Sequence, residues 1–242
     1  MSEQEHKTFF SPGSTEELHL FEQAQGPHGE NGFAVYYEKD DQLNFDASYE
    51  NMDEQVYNPL PRSLWPLPKF PNEQYRVSTV TDVKAVFDLV RGYIYEFVEL
   101  PHDTLYDILS LWVVASYIPE KFDSVPYLTF LGPKDSGKTR ALEVLWQLSY
   151  RSMLSPSFSS AALFRTVDQY GPTVCLDESE IYGSEQKTEA IAVLNAGYRK
   201  GQFVLRVKTE NGSIDRFSCF SFKALASTKL FVSTLDSRSI GV

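Results

Sequence analysis

The feature that most constrains the fold of this chain is the motif GPKDSGKT, which begins at Gly132 and directly follows the apolar residues 127–131. Its two glycines let the backbone wrap so that N–H groups point at phosphate oxygens, and a helix starting at Lys138 would add partial positive charge. Lys138 is spaced to reach the β- and γ-phosphates, and the Thr139 hydroxyl to contact Mg²⁺. The flanking strand and helix patterns disfavour the alternative, a Gly-Lys turn without a ligand. We predict an ATP site formed by Gly132, Pro133, Lys134, Asp135, Ser136, Gly137, Lys138, Thr139 and Arg140.

A second motif, at residues 173–178, ends in two adjacent carboxylates. Residues 173–176 are apolar after the first and lead directly into Asp177 and Glu178. A buried strand that ends in two carboxylates is the Walker B pattern, in which the first holds Mg²⁺ and the second orients and polarises the attacking water. The alternative is an ordinary exposed strand end. We predict Thr139 and Asp177 as magnesium ligands, and Lys138 and Glu178 as catalytic residues.

Two further positions are candidates for sensing or stabilising the γ-phosphate. The strand-like residues 223–226 end in Ser227 and Thr228, and either hydroxyl could lie near that phosphate; we choose Ser227. Arg238 stands just before the last predicted strand, where it could reach the γ-phosphate of a neighbouring subunit. The alternatives are ordinary turn residues at 227–228 and a surface Arg238 paired with Asp236.

A basic segment lies between the acidic strand and the predicted sensor strand. Residues 203–220 read as a hairpin, and Asn211-Gly212 is typical of a two-residue type I′ turn, which would place Lys208 opposite Asp215. Residues 198–216 contain five basic and two acidic residues. The hairpin could read a phosphate backbone, or it could be a solvated hairpin with a Lys208–Asp215 pair. The predicted nucleic-acid contacts are Arg199, Lys200, Arg206 and Lys208.

Composition limits the remaining possibilities only partly. The net charge is −11, but residues 1–76 hold 5 basic and 14 acidic residues (−9), so the remainder carries −2. Whole-chain charge therefore does not exclude a nucleic-acid partner. No apolar run is long enough to span a membrane, and residues 1–7 lack a signal-peptide core. With Cys175 and Cys219 read as buried thiols, we expect a cytoplasmic protein.

The pattern of elements predicts an α/β fold. Residues 1–32 are expected to be mobile or ordered only by docking, residues 33–37 and 43–45 to form a small hairpin, and the proline-rich residues 58–71 to form a linker. Two helices follow, the first capped by Ser78 or Thr81 and the second, after Pro101, by Asp103 or Thr104. Alternating strands and helices then indicate a parallel sheet with helices on both faces. We predict an acidic N-terminal region at 1–76, a helical part at 77–122 and a P-loop core at 123–242.

The motifs together resemble AAA+-type ATPases, and most closely the helicase ATPase of phage, plasmid and archaeal primase–helicases, similar to superfamily 3. The resemblance covers about residues 80–242, and its more specific matches are NAGYRKG (195–201) and the stretch 223–240. It implies an AAA+-like P-loop NTPase fold, a hexameric homo-oligomeric ring, ATP-driven movement on single- or double-stranded DNA, a hairpin in the pore and Arg238 acting in trans. It also implies a C-terminal lid beyond Val242, so we expect the chain to be truncated.

Three rival functions are weighed against a helicase motor. The first is a non-translocating AAA+ switch or loader that acts on protein partners. The second is a small-molecule P-loop kinase, which the Asp177-Glu178 pair and the placement of Arg238 disfavour. The third is a nucleotide-binding module without turnover. Residues 1–76 show no primase signature, and a docking or regulatory role is expected for them.

Overall fold

The structure is a computed structural model that describes residues 7–8, 13–14, 19–37, 42–50, 56–61, 82–156, 158–177, 185–207 and 212–242. The chain divides into two compact units, Met1–Val83 and Lys84–Val242. Among the described residues, no helix is long and apolar enough to cross a membrane.

The N-terminal unit is built from antiparallel strands around a small aromatic core. One sheet has the order β2-β3-β4-β5 and a second has the order β1-β7-β6. Phe21 stacks on Tyr49 with ring centroids 4.1 Å apart, and Phe33 and Val35 are fully buried beside them. The strands are β1 Lys7–Thr8, β2 Gly13–Ser14, β3 His19–Gln25, β4 Asn31–Tyr37, β5 Gln42–Asp46, β6 Tyr49–Glu50 and β7 Val56–Asn58.

Strand β3 forms an ordered part of residues 1–32, for which we expected a segment that is mobile or ordered only by docking. It pairs along its whole length with β4, while the pairing of β4 with β5 confirms the predicted hairpin. Two of the residues on its buried face are polar, since Gln23 and Gln25 are both buried. Gln23 is satisfied by donating from Nε2 to the Leu60 carbonyl at 3.0 Å. Inward glutamines hide the alternation of apolar residues from which a strand is recognised.

The C-terminal unit opens with two helices. Helix α1 spans Val83–Phe97 and α2 spans Asp103–Ser116. The cap predictions for α2 are wrong, because the N-cap residue is His102 and Asp103 lies in the first turn, where its charge complements the helix dipole. Ser78 and Thr81, like most of the linker at 58–71, lie outside the described residues.

A five-stranded parallel sheet forms the centre of this unit, with the order β14-β8-β13-β10-β9. Its strands are β8 Tyr127–Leu131, β9 Met153–Ser155, β10 Val174–Asp177, β13 Lys223–Ser227 and β14 Ser239–Gly241. The remaining helices are α3 Lys138–Leu148, α4 Ser160–Tyr170, α5 Glu185–Ala196 and the short α6 Ser233–Asp236. The order places β13 between the strand that enters the glycine motif and the strand that ends in Asp177.

Helices cover both faces of the sheet. Buried residues of α1, α2 and α3 pack on one face, where Leu109, Leu142 and Leu145 are almost completely buried. Buried residues of α4, α5 and α6 pack on the other face, around Phe164 and Leu194. Such burial on both sides explains why β8, β10 and β13 read as continuous apolar runs. The fold is α/β, a P-loop NTPase sheet of AAA+-like type, as predicted.

The hairpin of β11 Phe203–Val207 and β12 Ile214–Ser218 is present with a different register from the one predicted. Asp215 lies opposite Arg206, and Val207 lies opposite Ile214, so the strands are shifted by two residues. The shift keeps every side chain on its face, because side chains alternate with a period of two. It also places opposite charges and apolar side chains directly across the ladder. Lys208 lies outside the described residues.

Candidate functional site

The candidate site lies at the carboxyl edge of the parallel sheet. Leu131, the last residue of β8, is opposite Ser227, and Asp177 at the end of β10 is opposite Ala226. The Gly132 amide donates to the Ser227 carbonyl at 3.2 Å, so the glycine loop leaves directly from the sheet. In open parallel sheets ligands bind outside this edge, since loops and helix N-termini converge there.

The glycine loop has the backbone of an anion-binding nest. Asp135 and Gly137 both have positive φ, 63° and 86°, and Gly137 is the N-cap of α3. No side chain caps that helix, so its first N–H groups are available to a ligand. A Cβ added at Gly132 would lie 2.7 Å from Ser136 Oγ, so a side chain at 132 would displace the Ser136 hydroxyl, which is a hydrogen-bond partner of Lys138. The arrangement concentrates backbone donors at the start of α3 and favours a phosphate.

Lys138 folds back over this loop. Its ammonium group donates to the carbonyls of Gly132 and Pro133, at 2.9 and 2.5 Å, and to Ser136 Oγ at 3.3 Å. The cation therefore lies inside the loop, held only by neutral oxygens. A phosphate oxygen would be a stronger partner because it carries a full negative charge.

Thr139 and Asp177 meet across the site. The Thr139 hydroxyl donates to Asp177 Oδ2 at 2.7 Å, joining the start of α3 to the end of β10. Hydroxyl and carboxylate oxygens suit Mg²⁺, which commonly takes one or two protein ligands and fills its other positions with water and phosphate oxygens. The donor set therefore fits the ion that the sequence predicts. Glu178, the predicted catalytic base, lies outside the described residues.

A cavity of about 440 Å³ opens beside the glycine loop. One wall is formed by residues 97–101, which connect α1 to α2, and the other by the loop from Gly132 to Lys138. The Tyr106 hydroxyl fixes the first wall by accepting from the Leu100 amide at 2.9 Å and donating to the Val98 carbonyl at 3.1 Å. This wall could not be predicted from the sequence, because the short stretch between the two helices forms no recognisable motif.

Arg140 lies at the rim of that cavity. Its guanidinium stands 5.2 Å from the centre of the Phe97 ring and 3.7 Å from the Glu143 carboxylate. Lys134 and Asp135 belong to the same loop, with Asp135 in the left-handed conformation noted above. All nine residues predicted to bind the nucleotide are thus in the loop or in the first turn of α3.

Of the two residues predicted to contact the γ-phosphate, Ser227 is hydrogen-bonded within its own turn and Arg238 lies away from the glycine loop. The Ser227 hydroxyl donates to the Lys229 carbonyl at 2.8 Å and accepts from the Lys229 amide at 2.9 Å, closing its own turn. Arg238 is at the opposite edge of the sheet, since its carbonyl accepts from the amide of Tyr127, the first residue of β8. Its guanidinium donates to Asn195 Oδ1 at 2.5 Å and to the Thr234 carbonyl at 2.6 Å. Arg238 therefore does not join the glycine loop of its own chain.

Of the four residues predicted to contact nucleic acid, the three that the structure describes do not share one surface of the hairpin. Arg206 is on the inner face, with its guanidinium 4.8 Å from the centre of the Phe164 ring. Lys200 precedes the hairpin and donates from Nζ to the Glu120 carbonyl at 2.6 Å. The backbone of Arg199 forms an isolated antiparallel β-bridge with Ser124. The outer face carries instead Phe203, Leu205, Val207, Ile214 and Arg216, all exposed. The Arg216 guanidinium lies 4.3 Å from the centre of the Phe203 ring.

Comparisons with solved structures show a distant likeness. The chain is similar to the X-ray structure of JCV helicase at 17% identity and a TM-score of 0.39, over 66% of this chain and 44% of that chain. An inhibitor-bound structure of JCV helicase matches over the same shares, at 17% identity and a TM-score of 0.37. No protein-family model and no curated protein matches the chain. The match spans less than half of the helicase chain, and the P-loop NTPase fold is recognised here from the strand order and the glycine loop.

Proposed function

We propose that this chain binds Mg²⁺-ATP and hydrolyses it. The observation that carries the proposal is the 2.7 Å hydrogen bond from Thr139 to Asp177, which brings the two predicted magnesium ligands together at the mouth of an anion-binding loop. The cavity beside residues 97–101 is large enough for the base and ribose, since small-molecule sites have volumes of about 300–1,000 Å³. A triphosphate would then extend from that cavity over the start of α3.

Each group has a role that follows from its position. The loop amides and the N-terminus of α3 would hold the phosphates, and Lys138 would exchange its carbonyl partners for the β- and γ-oxygens. Thr139 and Asp177 would hold Mg²⁺, which neutralises developing charge on the phosphates when bound. Glu178 follows Asp177 directly and is proposed to orient the attacking water.

Phosphate release from ATP tests this proposal, with Thr139→Ala and Asp177→Asn compared with the wild-type chain. Both substitutions remove a magnesium ligand, so we expect turnover to fall by about tenfold or more. The control variants are Thr104→Ala and Asp123→Asn, which make the same chemical changes at exposed positions away from the loop. Wild-type turnover in both site variants would exclude this site as the centre of hydrolysis.

We further propose that the ATPase is a helicase-type motor that moves on DNA as a homo-oligomeric ring. The exposed Phe203–Arg216 pair supports this proposal, because an aromatic ring beside a guanidinium is a stacking platform for nucleobases. Single-stranded DNA should raise phosphate release, and the effect should fade as salt increases. Phe203→Ala combined with Arg216→Ala should reduce the stimulation, whereas Lys121→Ala, at an exposed site outside the hairpin, should not.

A switch that acts on protein partners is the second candidate. Four large apolar side chains of the hairpin are between 42% and 67% exposed: Phe203, Leu205, Val207 and Ile214. Grouped on one face, they resemble a protein-binding patch more than a phosphate-binding groove. ATP turnover that single-stranded DNA leaves unchanged would favour this candidate over the motor.

A further inference from the structure

The cavity wall that connects α1 to α2 is held from behind by Tyr106, a residue of α2 that does not itself line the cavity. Its hydroxyl donates to the Val98 carbonyl at 3.1 Å and accepts from the Leu100 amide at 2.9 Å. The Tyr106 side chain is buried, with its ring centre 5.1 Å from that of Tyr95 and 5.7 Å from the Arg91 guanidinium. The proposed binding of phosphates and Mg²⁺ makes no use of this hydroxyl.

These two hydrogen bonds set the direction of both peptide groups that flank Glu99. The described residues contain no cis peptide bond, and in a trans peptide the C=O and N–H bonds point in opposite directions. Because the Val98 C=O points at Tyr106, the Glu99 N–H points away from it. Because the Leu100 N–H points at Tyr106, the Glu99 C=O also points away from it.

Glu99 therefore presents a donor and an acceptor side by side. Neither its amide nor its carbonyl has a hydrogen-bond partner among the described residues. Glu99 is one of the residues that line the cavity, and its exposed side chain adds a carboxylate. A ligand in the cavity would thus meet one backbone donor, one backbone acceptor and a negative charge on the same residue.

Adenine has an edge that complements this pair, because its N6 amine donates and the neighbouring ring nitrogen N1 accepts. Hypoxanthine and guanine reverse both groups, since they carry a keto oxygen at C6 and a hydrogen on N1. The triphosphate fixes the position of the ribose, so a base bound there cannot exchange the two positions. The Glu99 carboxylate also favours an amine over a keto oxygen, which it repels.

We propose that Glu99 reads the adenine base through its backbone N–H and C=O, and that Tyr106 is the positioning residue that aims this pair. The inference rests on the proposed function, since it takes the base to lie in this cavity. Without the Tyr106 hydroxyl, the Val98 carbonyl and the Leu100 amide lose their partner and no longer hold the peptides of Glu99 in place. Tyr106 therefore governs the choice of base and leaves the binding of phosphates unaffected.

Calorimetric titration of the wild-type chain with ATP, ITP, GTP and inorganic tripolyphosphate, each with Mg²⁺, tests the inference. ATP should bind at least about tenfold more tightly than ITP or GTP, because these nucleotides reverse both hydrogen-bonding groups. In Tyr106→Phe, which keeps the ring, ATP should bind about tenfold more weakly and its preference over ITP should fall to within about threefold. Tripolyphosphate, which has no base, should bind to Tyr106→Phe as it does to the wild-type chain.

The matched control is Tyr117→Phe. The Tyr117 hydroxyl donates to the Leu148 carbonyl at 2.9 Å, and neither residue lines the cavity. The substitution therefore removes a similar hydrogen bond to the backbone without touching the wall. All four ligands should bind to Tyr117→Phe with wild-type affinity.

Three results would overturn the inference. The first is binding of ITP or GTP to the wild-type chain as tightly as ATP. The second is a wild-type ratio of ATP to ITP affinity in Tyr106→Phe. The third is an equal loss of affinity for ATP and tripolyphosphate in Tyr106→Phe, which would mean that the hydroxyl supports the unit in general. If Tyr106→Phe fails to fold, the comparison of ATP with ITP and GTP in the wild-type chain still decides.

Failure of the proposed function would look different. Lys138→Ala would then bind ATP and tripolyphosphate as tightly as the wild-type chain, because the glycine loop would not be the phosphate site. A wild-type chain that binds none of the four ligands would overturn both the proposed function and the reading of the base.

Discussion

At the carboxyl edge of the sheet, one hydrogen bond joins Thr139 to Asp177, the two residues proposed to hold Mg²⁺. The opposite edge is held by a different kind of contact, because Gly197 and Tyr127 pack closely around the buried amine of Lys223.

A substitution at Gly197 should therefore be costly. In Gly197→Ala the new methyl group collides with backbone and with the enclosed amine, so we expect a loss of about 1–3 kcal/mol in the free energy of unfolding. Gly92→Ala is the control, since no atom lies within 4 Å of its added Cβ and alanine favours helix α1 by up to about 1 kcal/mol. Urea unfolding of both variants measures the difference. Equal stability of the two would show that the space around Gly197 adapts.

Stability should also depend on pH through Lys223. Its folded pKa of about 7 is below the unfolded value, so the unfolded chain binds more protons above pH 7. The free energy of unfolding should consequently rise with pH between about 7 and 8.5, by at most about 1.4 kcal/mol per pH unit. Urea unfolding across this interval measures the slope, which should be smaller in Lys223→Met. If Lys223→Met shows the same slope as the wild-type chain, the pH dependence of the free energy of unfolding comes from other groups.

At the level of elements, the sequence predicted the helices and strands of the C-terminal unit well, because strands buried on both faces and amphipathic helices differ clearly in pattern. The predictions failed where polar residues lie on the buried face of a strand or at the cap of a helix. Strand β3 was missed because Gln23 and Gln25 point inward, and the cap of α2 was misassigned because His102 precedes the expected residues. The predicted hairpin register was wrong by two residues, because Asp215 lies opposite Arg206 and not opposite Lys208.

Helix α4 offers a test of local capping. Its N-cap Ser159 accepts a hydrogen bond from the Ala162 amide at 3.1 Å. Ser159→Ala should lower the free energy of unfolding by about 1 kcal/mol, because that amide loses its partner. Ser159→Asp should restore most of the stability, since aspartate caps equally well and its charge suits the helix N-terminus. Thermal unfolding compares the three proteins, and no loss in Ser159→Ala would show that the cap contributes nothing.

At the scale of the whole molecule, Arg238 is the residue that an assembly of several copies would engage. The sequence placed it before the last strand, and the structure positions it at the edge opposite the glycine loop, where Asn195 and Thr234 hold it. A role in hydrolysis therefore requires a second copy of the chain. The resemblance to ring ATPases supplies that expectation.

Mixing two inactive variants tests this expectation. Lys138→Ala lacks the phosphate-binding lysine, and Arg238→Ala lacks the arginine proposed to act in trans. In an equal mixture, about a quarter of the interfaces would join an intact loop to an intact arginine, so phosphate release should recover to roughly that fraction of the wild-type rate. Asn195→Ala should retain activity, because it frees the arginine without removing it. Failure of the mixture to exceed the separate variants would argue against a shared site.

ATP binding by the wild-type chain and by Lys138→Ala, titrated in the presence of Mg²⁺, tests the central proposal most directly. The lysine is proposed to exchange three loop oxygens for phosphate oxygens, so its loss should weaken binding by about a hundredfold while leaving the thermal unfolding temperature of the free chain nearly unchanged. Lys121→Ala, the same change at an exposed lysine outside the loop, serves as the matched control and should bind ATP with the affinity of the wild-type chain. Equal affinity of the wild-type chain and Lys138→Ala for ATP would contradict the assignment of this loop as the nucleotide site.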